Sequence, residues 1–154
     1  MTEELSETEI QDLKELDLQE MIKKTKINSY NFDDSNFQKL EKFENIEEAL
    51  KSLTLTDIAK FFYFYANDVI GERFLMGESA IAKDPKYSCL YAMDVIKARF
   101  PEGEPEIAKD PYFSYFYARC TIEERFLEGE PAIAKNPELA RSYAERFNLP
   151  QIPE

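Results

Sequence analysis

Residues 91–116 read YAMDVIKARFPEGEPEIAKDPYFSYF, and this stretch decides how the chain folds. The same 26-residue pattern aligns without gaps one period earlier, from Tyr65, and one period later, from Tyr117. Eleven of the 26 positions are identical in all three copies, and a truncated fourth copy begins at Tyr143. A fixed period of this length is typical of supersecondary units that stack on their neighbours. The repeat therefore predicts an array of similar units in the second half of the chain.

Helix start and stop signals recur inside each copy. An N-cap residue followed by proline, the preferred order at a helix start, occurs at Asp84, Asp110 and Asn136. From this signal a long helix of about 16 residues is predicted. We expect it to end at the glycine of each copy, which is Gly77, Gly103 or Gly129. A short second helix, such as EIAK in the second copy, then leads to the next start signal.

These signals predict an all-α fold, namely a short helical-repeat (α-solenoid-like) array with an N-terminal helical cap. We assign residues 56–154 to the repeat domain and residues 1–55 to an acidic cap, because solenoids need atypical ends that shield their core. Capping patterns start two cap helices, with Ser6 and Glu9 at the first, which is expected to run through Ile22, and Asn45 and Glu48 at the last. A further helix is expected between them around Phe37, Leu40 and Phe43. A polar loop is expected before this further helix, over residues 28–36.

Composition excludes several kinds of chemistry. The chain has no histidine and two cysteines among its 154 residues. Without histidine the commonest general base and the common metal-ligand sets are missing, and two thiols are too few for a four-thiolate zinc site. We therefore expect no catalytic residues, no metal and no cofactor, and a protein that is not an enzyme. Carboxylate chemistry is the third alternative, because 31 acidic residues are present.

The net charge of −12 is unevenly spread. Residues 1–50 hold fourteen acids and six bases, and residues 51–154 hold seventeen acids and thirteen bases. A chain this acidic is not expected to bind nucleic acid or an anionic membrane directly. No apolar run approaches the roughly 20 residues of a membrane helix, and the acidic start differs from a secretory signal. We expect a cytoplasmic protein.

One side of the predicted long helix is variable between copies. The recurrent side includes Tyr91, Ala92, Ile96, Arg99 and Phe100, and we assign it to packing between repeats. The variable side carries a stripe of apolar residues, which we predict to be protein-binding: Phe64, Leu90, Met93 and Phe116. A row of exposed apolar groups marks a partner surface. The alternative is that the N-terminal helices cover the row.

An arginine and a glutamate flank the glycine of each copy, as Arg99 and Glu104 do in the second. A row of such arginines could bind anions. We favour an internal ion pair, because the arginine falls on the arc assigned to packing and a buried charge must be paired.

The pattern YA-x-D-V-I-x-x-R-F-x-x-G-E-x-x-I-A-K-D-P, over residues 61–147, resembles a short helical repeat of uncharacterised bacteriophage and bacterial proteins. The resemblance implies a phage or prophage origin, and hence the host cytoplasm, together with a small helical array. It implies no activity and no functional residues. The layout also looks like tetratricopeptide and Sel1-type arrays, but those units are longer and their signatures are missing here.

The predicted function is a non-catalytic protein–protein interaction module whose partner is another protein. The alternative is an acidic phage inhibitor that imitates nucleic acid and blocks a basic host defence or nucleic-acid-binding protein. Salt dependence separates the two hypotheses, because binding by a nucleic-acid mimic weakens steeply as salt rises.

Overall fold

The computed structural model describes residues 4–29 and 38–151, and the regular structure in these ranges is entirely helical. The all-α prediction is therefore confirmed. Among the described helices none is both long and apolar enough to cross a membrane. Most of the predicted polar loop, residues 30–36, lies outside the described residues.

Contacts divide the chain into two units, Met1–Lys83 and Asp84–Glu154. The division falls at the start signal Asp84–Pro85, whereas composition placed a boundary between residues 55 and 56. The first unit thus holds the N-terminal helices together with most of the first copy, and the second unit holds the later copies. Each unit is described by itself below.

The first unit contains five helices that the structure describes in full: α1 (Glu7–Leu13), α2 (Leu18–Asn28), α3 (Ile46–Ser52), α4 (Leu55–Phe64) and α5 (Glu78–Ile81). The predicted capping box of α1 is present, since the Glu9 N–H donates to Ser6 Oγ at 3.2 Å and the Ser6 N–H donates to Glu9 Oε2 at 2.7 Å. Asn45 caps α3 as predicted, accepting from the Glu48 N–H at 3.0 Å. The starts of both helices were therefore predicted correctly. The single helix expected from Ser6 through Ile22 was wrong, because α1 ends at Leu13 and α2 begins at Leu18 with its own cap, Asp17.

A π-helical segment, Tyr65–Ile70, continues α4 without a break, and α2 packs against it. The α2 helix turns an apolar stripe inward, consisting of Leu18, Met21, Ile22 and Thr25. The aromatic residues of α4 are equally enclosed, because Phe61, Phe62 and Tyr63 are all buried. The core of the first unit therefore combines residues of α2 with aromatic residues of α4.

The second unit contains five further helices: α6 (Pro85–Tyr91), α7 (Glu104–Ile107), α8 (Pro111–Tyr117), α9 (Glu130–Ala134) and α10 (Pro137–Arg146). The predicted N-caps are present, and Asp84 and Asp110 each accept a backbone N–H at 2.9 Å. The α8 helix packs against both α6 and α10. It is therefore the middle helix of three that start in the same way.

The long helix ends earlier than the sequence predicted. Where the first copy passes into the second, seven α-helical residues, Pro85–Tyr91, are followed by five π-helical ones, Ala92–Ile96, and the helix then stops. The stop is a left-handed residue, with φ of 72° at Gly71, 59° at Lys97 and 54° at Glu123. A helix of about 16 residues that ends at Gly77, Gly103 or Gly129 was therefore a wrong prediction.

The glycines at 103 and 129 serve close packing and do not stop a helix. Gly103 has an ordinary negative φ of −88° and immediately precedes α7. A Cβ placed there would lie 2.6 Å from Cδ1 of Phe100 and 2.7 Å from Cβ of Ser88. At Gly129 the same contacts recur, with Phe126 and Ser114. Only glycine lets the turn of one copy approach the helix before it this closely.

The fourth copy is shortened inside its pattern. Phe147 follows Tyr143 by four residues, whereas Phe100 follows Tyr91 by nine. The rings nevertheless pack in both copies, with centroids 4.8 Å apart for Tyr143 and Phe147 and 5.3 Å for Tyr91 and Phe100. The shortened copy lacks the π-helical segment and keeps the aromatic contact.

Candidate functional site

Hydrogen bonds between side chains and backbone join consecutive copies within the second unit. Arg99 donates to both oxygens of Glu104, at 2.9 and 3.2 Å. The Tyr117 hydroxyl, which comes from the next helix, donates to Glu104 Oε1 at 2.7 Å and accepts the Phe100 N–H at 2.8 Å. Burial, together with the hydrogen bond to Glu104, raises the pKa of Tyr117 well above its usual value. These groups hold the turn of one copy on the helix of the next.

The network repeats one copy later. Arg125 donates to Glu130 at 2.8 and 2.9 Å, and the Tyr143 hydroxyl donates to the same carboxylate at 2.8 Å. Burial is the main cause that raises the pKa of Tyr143 to about 12. Burial alone would also raise the pKa of Glu130, but hydrogen bonds from Arg125 and Tyr143 outweigh it and leave that pKa lowered. The carboxylate is therefore held ionised.

The predicted internal ion pair is confirmed in all three copies, including Arg73 with Glu78 at 2.7 Å in the first unit. One detail of the prediction was wrong, because the arginine is the more exposed partner. The Arg99 side chain is 41% exposed and that of Glu104 is 14% exposed. The guanidinium reaches the carboxylate from the solvent side, so the pair is only half removed from water.

The four residues predicted to bind a partner are all partly exposed: Phe64, Leu90, Met93 and Phe116. Phe64 belongs to the first unit, where its ring packs edge-on against Tyr63 at 5.1 Å. Leu90 and Phe116 occupy equivalent positions on the neighbouring helices α6 and α8. None of the four is deep inside the fold, and their role in binding stays a prediction.

The most exposed aromatic residue beside this stripe was not predicted. Tyr112 is 54% exposed, and its ring stacks on Phe116 with centroids 6.0 Å apart and planes 16° apart. Phe113 and Tyr115 on the same helix are also partly exposed. We call these four residues of α8 the α8 aromatic face. Its sequence signal was the run YFSYFY, in which Ser114 and Tyr117 alone are buried.

Arg119 extends this face by one further turn. Its guanidinium lies over the ring of Tyr115 at 6.0 Å, and the Arg119 side chain is exposed. Arg119 differs in this way from Arg99 and Arg125, whose guanidinium groups are held by carboxylates. It therefore leaves a positive charge beside an aromatic surface.

Other features of the described residues offer less to a ligand. A cleft of about 740 Å³ lies beside α10 and is lined by Ala140, Arg141, Ala144 and Leu149 among others. Burial raises the pKa of Cys89 to about 12. Within residues 4–29 and 38–151, no group of three Cys, Asp or Glu side chains could hold a metal ion. The α8 aromatic face is the strongest candidate site.

Comparison with known proteins gives no match to this chain among family models, curated proteins or solved structures. The likeness to a bacteriophage repeat consequently rests on the motif in residues 61–147 alone. The function has to be argued from the geometry of the chain itself.

Proposed function

We propose that this chain is a non-catalytic protein-interaction module, phage-encoded and acting in the host cytoplasm, whose helical repeats form a solenoid-like array. The α8 aromatic face is its binding surface. The observation that carries the proposal is the Tyr112–Phe116 stack, in which a tyrosine 54% exposed lies flat on a partly exposed phenylalanine. Tyrosine and phenylalanine are enriched in protein interfaces, and tyrosine is prominent among their hot spots.

The surroundings of this face support a rigid binding surface. Tyr117 and Tyr143 fix α8 and α10 to the preceding turns through buried hydrogen bonds. A surface that is already ordered loses little side-chain and backbone entropy when it binds. Most of the shifted titratable groups are engaged in this network and have partners, which favours a structural role for them over a catalytic one.

The arrangement of the helices in the second unit supports the array. The middle helix α8 packs on α6 and α10, and the same tyrosine–glutamate contact links successive copies. In a solenoid each repeat contacts its neighbours in this repeated way.

Site-specific photocrosslinking tests the proposed function. Phe116 is replaced by a photoreactive phenylalanine analogue, and the protein is irradiated in host lysate. Glu128, which is exposed in the turn before α9, receives the same analogue as the control. We expect a discrete protein adduct from position 116 and none from position 128. No adduct from position 116, or identical adducts from both positions, contradicts the proposal.

The acidic inhibitor is the alternative, and one observation favours it. Four carboxylates on and beside α1 are exposed: Glu4, Glu7, Asp12 and Glu15. Lys14 is the one base in residues 1–22, and Glu47 pairs with it at 3.4 Å. A variant with the four carboxylates changed to amides should lose a basic partner if the alternative holds. The same variant should keep the partner crosslinked at Phe116 if the leading proposal holds.

A further inference from the structure

Three exposed residues form a row across the helices of the second unit. Lys86, Tyr112 and Glu138 each follow the proline that begins α6, α8 and α10. Because α8 lies between α6 and α10, the row places a cation on one side of the aromatic residue and an anion on the other. Within the described chain neither Lys86 nor Glu138 forms an ion pair.

A second row lies one helical turn further along. It consists of Leu90, Phe116 and Ser142, which are all partly exposed. Its centre is again aromatic, and its sides are uncharged. The face therefore has an apolar middle on α8, Lys86 at the corner on α6 and Glu138 at the corner on α10. The exposed Arg141 of α10 lies between the two rows, at the position equivalent to Tyr115.

We propose that this face binds a second copy of the chain about a two-fold axis parallel to α8. The inference rests on the proposed function, because it uses the same surface. A two-fold contact joins one patch to itself, so the patch must be complementary to its own rotated image. About this axis α8 meets α8 and α6 meets α10 of the second copy. Lys86 then faces Glu138 of the second copy, and the pair occurs twice.

The charges select this axis over the other simple choice. A two-fold axis perpendicular to α8 and passing through the first row would bring α6 onto α6 and place Lys86 opposite Lys86 of the second copy. It would likewise place Glu138 opposite its own counterpart. Passing between the two rows, such an axis would place Lys86 opposite Leu90 and form no ion pair. Opposed like charges suppress a wrong arrangement, and opposite charges favour the right one. Tyr112 and Phe116 lie at the centre in either case and supply the apolar contact.

The contact is limited to the first two rows. In the third row Arg119 lies on the axis and would face Arg119 of the second copy. Its guanidinium already lies over Tyr115 on its own helix. Repulsion between the two arginines places the edge of the interface there.

Charge exchange tests the inference by sedimentation equilibrium of the full chain at low salt. Lys86→Glu and Glu138→Lys are each expected to raise the dimer dissociation constant at least about tenfold, because each turns two attractive pairs into repulsive ones. The double variant should bind within about threefold of the wild type, since its pairs are attractive again. Lys86 and Glu138 occupy equivalent positions, each just after the proline that begins a helix. Both substitutions are therefore compatible with a helix start, because each introduces the residue type that the other position already has.

Lys97→Glu is the matched control. It makes the same charge change at a residue that belongs to neither of the first two rows, at a left-handed position where the third copy carries Glu123. We expect this variant to dimerise like the wild type. A wild type that is monomeric at 200 μM (a concentration of order 10⁻⁴ M, far above the dissociation constant of a specific dimer) overturns the inference, and so does a double variant as weak as the single ones. Either result leaves the proposed function standing if position 116 still crosslinks to a different protein.

Discussion

Two aromatic helices occupy equivalent places in the repeat and have different surroundings. In the first unit, Phe61, Phe62 and Tyr63 of α4 are 2%, 0% and 6% exposed. In the second unit the equivalent residues of α8 are Phe113, Ser114 and Tyr115, and both aromatic ones are partly exposed. The first unit also contains α2, which covers the continuation of α4. Aromatic content alone therefore does not distinguish a core helix from a binding helix; the neighbouring elements decide it.

The largest loss of stability is expected from a substitution in the buried helix α4. Phe62→Ala should lower the free energy of unfolding by about 3–5 kcal/mol, because it removes a fully buried ring that packs edge-on against Phe74 at 5.4 Å. Phe113→Ala, at the partly exposed position of α8 just before Ser114, the equivalent of Phe62, should cost less than about 2 kcal/mol. Urea unfolding followed by circular dichroism measures both. Equal losses would mean that the two helices do not differ in burial.

The glycine turns of the two units are expected to differ in how much an alanine destabilises the fold. Gly129→Ala should cost about 2–3 kcal/mol, because its Cβ would lie 2.6 Å from Cβ of Ser114, which is fixed to the α8 backbone. Gly77→Ala should cost about 1–2 kcal/mol. On α4 the nearest atom to its Cβ would be a ring atom of Phe62 at 3.0 Å, and this ring can shift slightly. The same unfolding experiment compares them. A cost that is larger at Gly77 than at Gly129 would contradict this explanation.

The network at the start of α9 gives a smaller, pH-dependent effect. Glu130→Gln should cost about 1–2 kcal/mol at neutral pH, because it weakens the hydrogen bonds to Arg125 and Tyr143. The pKa of Glu130 is lowered in the folded chain, so the stabilisation is present above its usual value of 4.5 and is lost as pH falls through the folded pKa. Unfolding at pH 7 and pH 3 measures this. The exposed Glu128→Gln is the control and should show little change at either pH.

The smallest change in stability is expected from a substitution on the exposed face of α8. Tyr112→Ser should change the free energy of unfolding by at most about 0.5 kcal/mol, as for most surface substitutions, while reducing binding at the α8 aromatic face. Unfolding and sedimentation on one preparation separate the two properties. A loss of stability comparable to that of Phe62→Ala would show that Tyr112 belongs to the core.

Local signals in the sequence predicted the helix starts correctly. The Asp–Pro and Asn–Pro pairs, the Ser6–Glu9 box and the Asn45 cap all act through neighbours a few residues away, so the sequence contains the whole interaction. The Arg–Glu pair was predictable for a similar reason, because its members lie five residues apart. The repeat then extended each correct prediction to the other copies.

The helix ends and the exposed face could not be predicted in this way. A helical wheel assumes 3.6 residues per turn, and the π-helical segments depart from that spacing. Lys97 and Glu123 give no local signal for a left-handed residue, and Gly71 alone hinted at it. The exposure of Tyr112 depends on which elements cover α8, and that information lies in distant parts of the chain.

The shortened fourth copy shows which part of the repeat is dispensable. Five residues are missing between Tyr143 and Phe147 relative to a full copy, yet the two rings remain in contact. The spacing along the chain and the contact in space are therefore independent at this point. A unit of this kind can therefore vary in length by the whole intervening segment while its tyrosine and phenylalanine rings keep their tilted contact.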